Sequence, residues 1–246
     1  VDSVLRDGLA DHRIKEHMAL TAERLATQYQ ITRQAQDAFA MTSHCRYFGA
    51  LAAGRYAEEI VPVDKVQCDE HPRADTTAEK LATLKTMFDA QGTITAANSS
   101  GINDGAAMLI LCREETAHKH GWQPLCLVSS WAAVGCDPQI MGLGPVHATQ
   151  KLCERSGRRL EDFDTIELNE AFAAQALACL KVWKREADEQ VNPDGGAIAV
   201  EHPIGASGTR LIVHLAHRIR RCETRRGLAT LCVGGGMGMA IALASV

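Results

Sequence analysis

A layered α/β core over residues 96–246, preceded by a mostly helical segment over residues 1–95, is the fold this sequence predicts. Three observations carry the prediction. From about residue 96 short apolar runs alternate with helix-like runs, the pattern of a sheet covered on both faces. Before residue 95 apolar residues recur instead at spacings of three and four, as on helices. At 246 residues and 46% hydrophobic side chains, the chain can bury the core of one large domain or two small ones.

In chain order, "TAERLATQY" sets Met18, Ala22, Leu25 and Ala26 on one helical face, with Thr21 as its expected N-cap. A longer helix follows "ITRQ", with Ala38, Met41, Cys45, Phe48 and Ala52 as its apolar stripe and Gly54 as its stop. "EEIVPV" (58–63) reads as a short strand, "DEHPRADTT" (69–77) as a polar loop, and "AEKLATLKTMF" (78–88) as a helix. Beyond the boundary near 95, "DGAAMLILC" reads as a buried strand and "REETAHKHG" as a helix closed by Gly121. "PLCLVSSWAAVG" is a strand, "GPVHATQKLCERSG" a helix, "DTIELNE" a strand tip and "AFAAQALACLKVWK" a helix. The helix "TRLIVHLAHRIRR" carries Leu211, Ile212, Leu215 and Ile219 on its apolar face and His214 and His217 on the polar one. Two apolar strands joined through glycines, "GLATLCVGGG" and "MGMAIALASV", close the chain.

A formal net charge of −4 argues against nucleic acid as a partner, since phosphate binding needs a concentrated basic surface. The apolar runs are too short to span a bilayer, and neither a secretory signal nor a polybasic anchor is visible. Nine cysteines, an odd number at irregular spacings without a C-x-x-C pair, speak against a disulfide framework or zinc knuckle and for a reducing compartment. No metal site is expected, because no carboxylate or thiol shares the spacing of His214 and His217 or of His118 and His120.

Three stretches place a reactive side chain where a strand ends or a glycine-rich turn begins, the usual location of active sites in α/β folds. They are "NEAF" (169–172), "EHPIGASG" (201–208) and "CVGGGMG" (232–238). An amide, an imidazole and a thiol at sheet ends suggest acyl or carbon–carbon bond chemistry, with glycine N–H groups as an oxyanion pocket. Singly, each has a structural reading: a packed thiol, a loop histidine, a tight turn. The residues alone leave the substrate open.

Taken together, these stretches resemble the thiolase family of acyl-CoA acetyltransferases, whose patterns are NEAF, then N-x-x-GGAIALGHPIGASG, then LC-x-GGGMG. "HMALTAERLA", "ITRQAQDAFA", "TAANSSGINDGAA" and "IMGLGPV" extend the likeness over essentially the whole chain. The resemblance implies thiolytic cleavage of a 3-oxoacyl-CoA to acetyl-CoA and a shortened acyl-CoA, or the reverse Claisen condensation. It implies His202 as base, Cys232 as the acid/base at the α-carbon, Asn169 as the holder of an enolate-binding water, and the Gly234 N–H as an oxyanion donor. His17 and Met18 would line the pantetheine tunnel, Ser100 would bond the pantetheine amide, Met141 would shape the acyl pocket, and Lys85 would approach the adenosine phosphates, a role weighed against that of an ordinary solvated charge. Coenzyme A and acyl-CoA are thus substrates, with no tightly bound cofactor. Residues 1–95 become part of a CoA-binding loop domain, and 96–246 the C-terminal half of the layered core. Family behaviour implies a homodimer or homotetramer in the bacterial cytoplasm or an organelle matrix. "DEHPRADTT" and "NPDGGAIA" lean towards the degradative branch, 3-oxoadipyl-CoA thiolases included.

Two departures stand beside the matches. The family's nucleophilic cysteine lies in a CGSG-like turn, and none of the nine cysteines has that context, Cys136 in "VGCDP" being the hardest to dismiss. With Val1 as its first residue, the chain reads as a C-terminal portion lacking the N-terminal nucleophile half, expected to expose an apolar face and to assemble with that half. The family's glycine before the histidine is Glu201 here, whose carboxylate would raise the His202 pKa, narrow the thioester channel, or point to solvent. The competing reading is a non-catalytic thiolase-derived fragment that binds CoA or a sister subunit. A ketoacyl-synthase-type condensing enzyme fits less well, because a cysteine occupies the final glycine-rich turn.

Overall fold

The computed structural model describes residues 2–185 and 189–246. After a π-helical turn at Val4–Gly8, two short strands, β1 (Ala10–Asp11) and β2 (Glu16–His17), pair antiparallel and deliver the chain into helix α1 (Met18–Gln28). Helices α2 (Arg33–Ala52), α3 (Ala78–Ala82) and α4 (Glu114–His120) complete the first part. The second part runs β3 (Leu127–Gly135), α5 (Gly144–Ser156), β4 (Thr165–Leu168), α6 (Ala173–Trp183), α7 (Ala197–Val200), α8 (Ser207–Arg220), β5 (Arg226–Val233) and β6 (Met237–Ala244).

The four strands β3 to β6 form one mixed sheet in the order β3-β6-β5-β4, parallel only between β4 and β5. Side chains alternate between its faces. Leu228, Ala240 and Ala242 join the cluster built by α1, α5 and α6, whereas Ala229 and Leu243 meet Leu211, Leu215, Ala216 and Ile219 of α8. From β3 onward the expected strands and helices are all present. Pro145 in the first turn of α5 forfeits only an N–H the helix leaves unpaired anyway, and Gly157, at φ 66°, ends that helix as Gly121 ends α4. Among the described residues no helix is long and apolar enough to cross a membrane.

The first part departs from expectation in several places. His17, not Thr21, caps α1: its Nδ1 accepts from the Ala19 N–H, while the Thr21 hydroxyl donates back to the Met18 carbonyl from inside the helix. Helix α2 faces the other way. Its apolar stripe lies outward, with Ala38, Cys45 and Ala52 exposed, and the buried face holds Gln36, Asp37, Ser43, His44 and Tyr47. Most of those polar groups are tolerated inside because they find partners: Asp37 accepts from Arg33 and Asn98, Gln36 donates to Thr93, Ser43 donates to Glu170, and His44 accepts from the Arg73 N–H. Residues 58–63 form no strand, only an isolated bridge between Val63 and Val66. The helix expected over 78–88 stops at Ala82, so Lys85 stands exposed beyond it. Residues 104–112 form no buried strand either; Met108 and Ile110 are each 86% exposed, because no described strand offers them a ladder. Trp131 on β3, and Met237 and Met239 on β6, are also exposed.

His214 and His217 do not line a solvated face. His214 is 2% exposed, with Nδ1 2.7 Å from Glu59 Oε1 and Nε2 3.2 Å from Asp194 Oδ2. The sequence hides this because Glu59 and Asp194 arrive from other segments. Asp194 also takes Arg218 and Arg55, and its carboxyl is held below the usual carboxylate range, since these partners outweigh its burial.

Candidate active site

At the C-terminal end of β4 the backbone N–H of Asn169 donates to the Thr230 carbonyl of β5, at 3.0 Å. This fixes the 169–172 turn against the sheet just before α6 begins. Asn192 extends β4 by imitating a strand, donating to the Leu168 carbonyl and accepting from the Leu168 N–H, both at 2.8 Å. Between the two lies Glu170, fully buried. Its carboxylate accepts from Ser43 Oγ (2.7 Å), Asn192 Nδ2 (2.8 Å) and the Ile198 N–H (3.1 Å). Burial pushes its pKa up, against those bonds. Ser43 Oγ accepts in turn from the Gly196 N–H at 3.0 Å, and a Cβ on Gly196 would overlap the Glu170 carboxylate. One carboxylate and one hydroxyl thus clamp the segment leading to His202 onto the turn carrying Asn169.

The result is a short approach: Asn169 Nδ2 lies 3.3 Å from His202 Nε2. On the other side of the ring Nδ1 lies 2.5 Å from Ser207 Oγ, which itself donates to the Pro203 carbonyl at 3.1 Å. With the hydroxyl proton committed to that carbonyl, Ser207 accepts from Nδ1–H, which leaves the lone pair on Nε2, turned towards the Asn169 amide. Burial pushes the His202 pKa down to about 4, and the positive charge of Arg210 adds to the effect. A neutral imidazole with a free Nε2 is a base at neutral pH. Asn169 Oδ1 is buried without a partner, a place for one further polar group.

Cys232, near the end of β5, is 7% exposed and packs against Met141 and Ala171, with Met18 and Phe172 beside them. Burial pushes its thiol up to about 12, so it holds its proton at neutral pH. Two residues on, Gly234 lies beneath the flexible end of Met18, which a Cβ there would displace. The Gly235 N–H donates to Asp11 Oδ2 at 2.9 Å, tying this turn to β1. Ser100 joins from the other side, its N–H and hydroxyl both donating to the Ala171 carbonyl. His17 stacks on Phe88, ring centroids 4.3 Å apart, and burial lowers its pKa. Met18, Ser100, Met141, Asn169, His202, Cys232 and Gly234 therefore gather on or beside the 169–172 turn; the contacts that draw them together do not reach Lys85. Cys136 lines an open depression of about 530 Å³ with His147 and Lys151, its thiol pushed up by burial and by Asp137.

Sequence reasoning passed over Ser207, Ser43 and the part played by Glu170. Their signals were the serine of "GASG", the glutamate directly after Asn169, and the paired Gly195 and Gly196, whose missing side chains make room for the clamp. Glu201 behaves otherwise than expected. Its carboxylate turns to His71, with Oε1 2.7 Å from Nδ1, and the His202 pKa stands low, not raised.

A family model described as the thiolase N-terminal domain matches residues 1–115, and one described as the thiolase C-terminal domain matches residues 122–245. The first match overturns the expectation that the N-terminal half is lacking, since N-terminal-domain sequence fills the first part of the chain. An acetyl-CoA acetyltransferase of Chromobacterium violaceum is 46% identical over 252 residues, covering 99% of this chain and 64% of that protein. A beta-ketoadipyl-CoA thiolase of Pseudomonas aeruginosa is 48% identical over 238 residues, covering 93% of this chain and 59% of that one. The crystal structure of the Bacillus anthracis acetyl-CoA acetyltransferase superposes with a TM-score of 0.93 at 43% identity, covering 100% of this chain and 64% of that one. Human mitochondrial 3-ketoacyl-CoA thiolase in complex with CoA gives 0.92 at 36%, covering 100% and 62%. The chain thus spans about 64% of the length of the first of these relatives.

Proposed function

Because this chain belongs to the thiolase family, we propose that it supplies the acid–base apparatus of a thiolase-type acyl transfer on CoA thioesters. In this reading a cysteine thiolate attacks the 3-oxo carbon of a 3-oxoacyl-CoA, and the C2–C3 bond breaks. The electron pair goes to the acetyl-CoA enolate, which takes a proton from Cys232. Coenzyme A then attacks the acyl-enzyme thioester, its thiol proton returning to the Cys232 thiolate, and the shortened acyl-CoA leaves with the nucleophile released as thiolate. His202 Nε2 is the base that deprotonates the nucleophile and, with a water held by Asn169, the stabiliser of the enolate oxygen. The Gly234 N–H faces the second oxyanion. His17, Met18 and Ser100 take the pantetheine arm, Met141 bounds the acyl group, and Lys85 reaches the adenosine phosphates. None of the nine cysteines of this sequence stands in the family's CGSG-like turn, and the reading leaves the nucleophilic thiol unassigned.

The observation that carries the reading is the 3.3 Å approach of Asn169 to a His202 whose tautomer Ser207 sets. The test is thiolysis of acetoacetyl-CoA, followed by loss of the enolate absorbance, with this chain complemented by the remaining part of an acetyl-CoA acetyltransferase. Turnover that His202→Ala abolishes is the expected result. No turnover, under conditions where the relative's own corresponding segment restores activity, would overturn the proposal.

A further inference from the structure

The acyl-transfer reading leaves one arrangement beside the His202 turn unused. Glu201 sits at φ 71° and ψ 179°, backbone space that a Cβ crowds and that glycine occupies by preference. A side chain held there needs compensation, and Glu201 has it: Oε1 lies 2.7 Å from Nδ1 of His71, with the two side chains only 18% and 20% exposed. Across the carboxylate lies Gly101, where a Cβ would come within 2.5 Å of Oε1; two residues along the turn, Pro203 lies as tightly on Gly105, at 2.7 Å. Segment 100–105 therefore runs flush against 201–203, and loop 69–73 is fastened to the same turn from the other side. That loop has a second tie, since the Arg73 N–H donates to Nδ1 of His44 on α2 at 3.3 Å.

We propose that Glu201 and His71 form a positioning pair that holds loop 69–73 and segment 100–105 closed on the turn carrying His202, keeping the imidazole dry and aimed at Asn169. The pair's catalytic consequence rests on the acyl-transfer reading; its structural consequence does not. His71 can donate from Nδ1 whether neutral or protonated, so the contact needs an acceptor oxygen and not a full charge. A glutamine at 201 keeps that oxygen; alanine and glycine remove it, and glycine also relaxes the backbone, so that variant folds even where alanine does not.

The experiment compares the full chain with Glu201→Gln, Glu201→Ala, Glu201→Gly, His71→Ala and the double variant Glu201→Ala/His71→Ala. Two rates are read by peptide mass spectrometry: tryptic cleavage after Arg73, and carbethoxylation of His202 by diethylpyrocarbonate. The alanine and glycine variants raise both rates about fivefold to tenfold, the glutamine variant stays within about twofold, and the double variant matches the single ones. Unchanged rates in Glu201→Gly, or a double variant whose effect is the product of the two singles, would overturn the pairing. Where complemented protein turns over, Glu201→Gly lowers kcat with little change in KM while Glu201→Gln restores it. Absence of turnover beside the expected labelling pattern would count against the acyl-transfer reading alone.

Discussion

His214 gives the most quantitative prediction. Burial by itself would lower the pKa of this imidazole, but its bonds to Asp194 and Glu59 and the charge of Glu167 outweigh that and hold it at about 9. A group whose native pKa stands above its unfolded value of 6.5 stabilises the fold fully below pH 6.5, and its contribution is lost as pH rises through the native value. Moving from 6.5 to about 9 corresponds to about 3 kcal/mol. The perturbation is His214→Asn, and the assay is urea unfolding of both proteins at pH 6, 8 and 10. Taking the difference between them cancels the other titrating groups. The wild-type advantage is expected to shrink by about 3 kcal/mol between pH 6 and pH 10, the loss spread over the interval from 6.5 to about 9. An advantage of equal size at pH 6 and pH 10 would show that the imidazole is not charged in the fold, and the ion cluster would need another account.

Gly196→Ala drives a Cβ into the Glu170 carboxylate and is expected to cost about 2 kcal/mol by chemical denaturation, whereas Gly234→Ala meets only the flexible end of Met18 and costs less than about 1 kcal/mol. The His202 resonances are expected to titrate near 4 by NMR, so that the base is lost only as pH falls towards that value; a midpoint near 6.5 would contradict the buried, Ser207-bonded ring. Iodoacetamide at pH 7.5 is expected to alkylate the exposed Cys45, Cys68, Cys112 and Cys222 well before Cys232, whose thiol is buried and protonated; peptide mass spectrometry showing Cys232 among the first labelled would refute this.

The second part of the chain was legible because its signals are local. Strands of alternating or continuous apolar residues end at Gly135, Asn169 and Gly234, and helix α5 carries its own start in Pro145 and stop in Gly157. The motifs at 169 and 202 also indicated which side chains to examine, and the fold brings those two into contact. What stayed hidden depends on partners remote in sequence. Residues 104–112 have strand composition, yet a strand exists only by pairing, and no described neighbour pairs with them. The apolar stripe of α2 misled because its opposite face is buried through Asn98, Glu170 and Arg73, none of which a periodicity count can see. His214 was assigned to water for the same reason: Glu59 lies 155 residues away.

The hydrogen bond from Ser43 to Glu170 joins residues 127 apart in sequence. Closing so large a loop is entropically slow, and contacts of this separation set the pace at which a chain reaches its native topology. Helix α8 and the β5–β6 hairpin can assemble from near neighbours, but β3 must find β6 from across the chain, and the spacing between amide and imidazole waits on a serine contributed by α2. Nascent molecules should therefore pass through a stage with helices and the β5–β6 hairpin formed and the reaction centre unformed, and the helical circular dichroism signal should run ahead of any signal from His202.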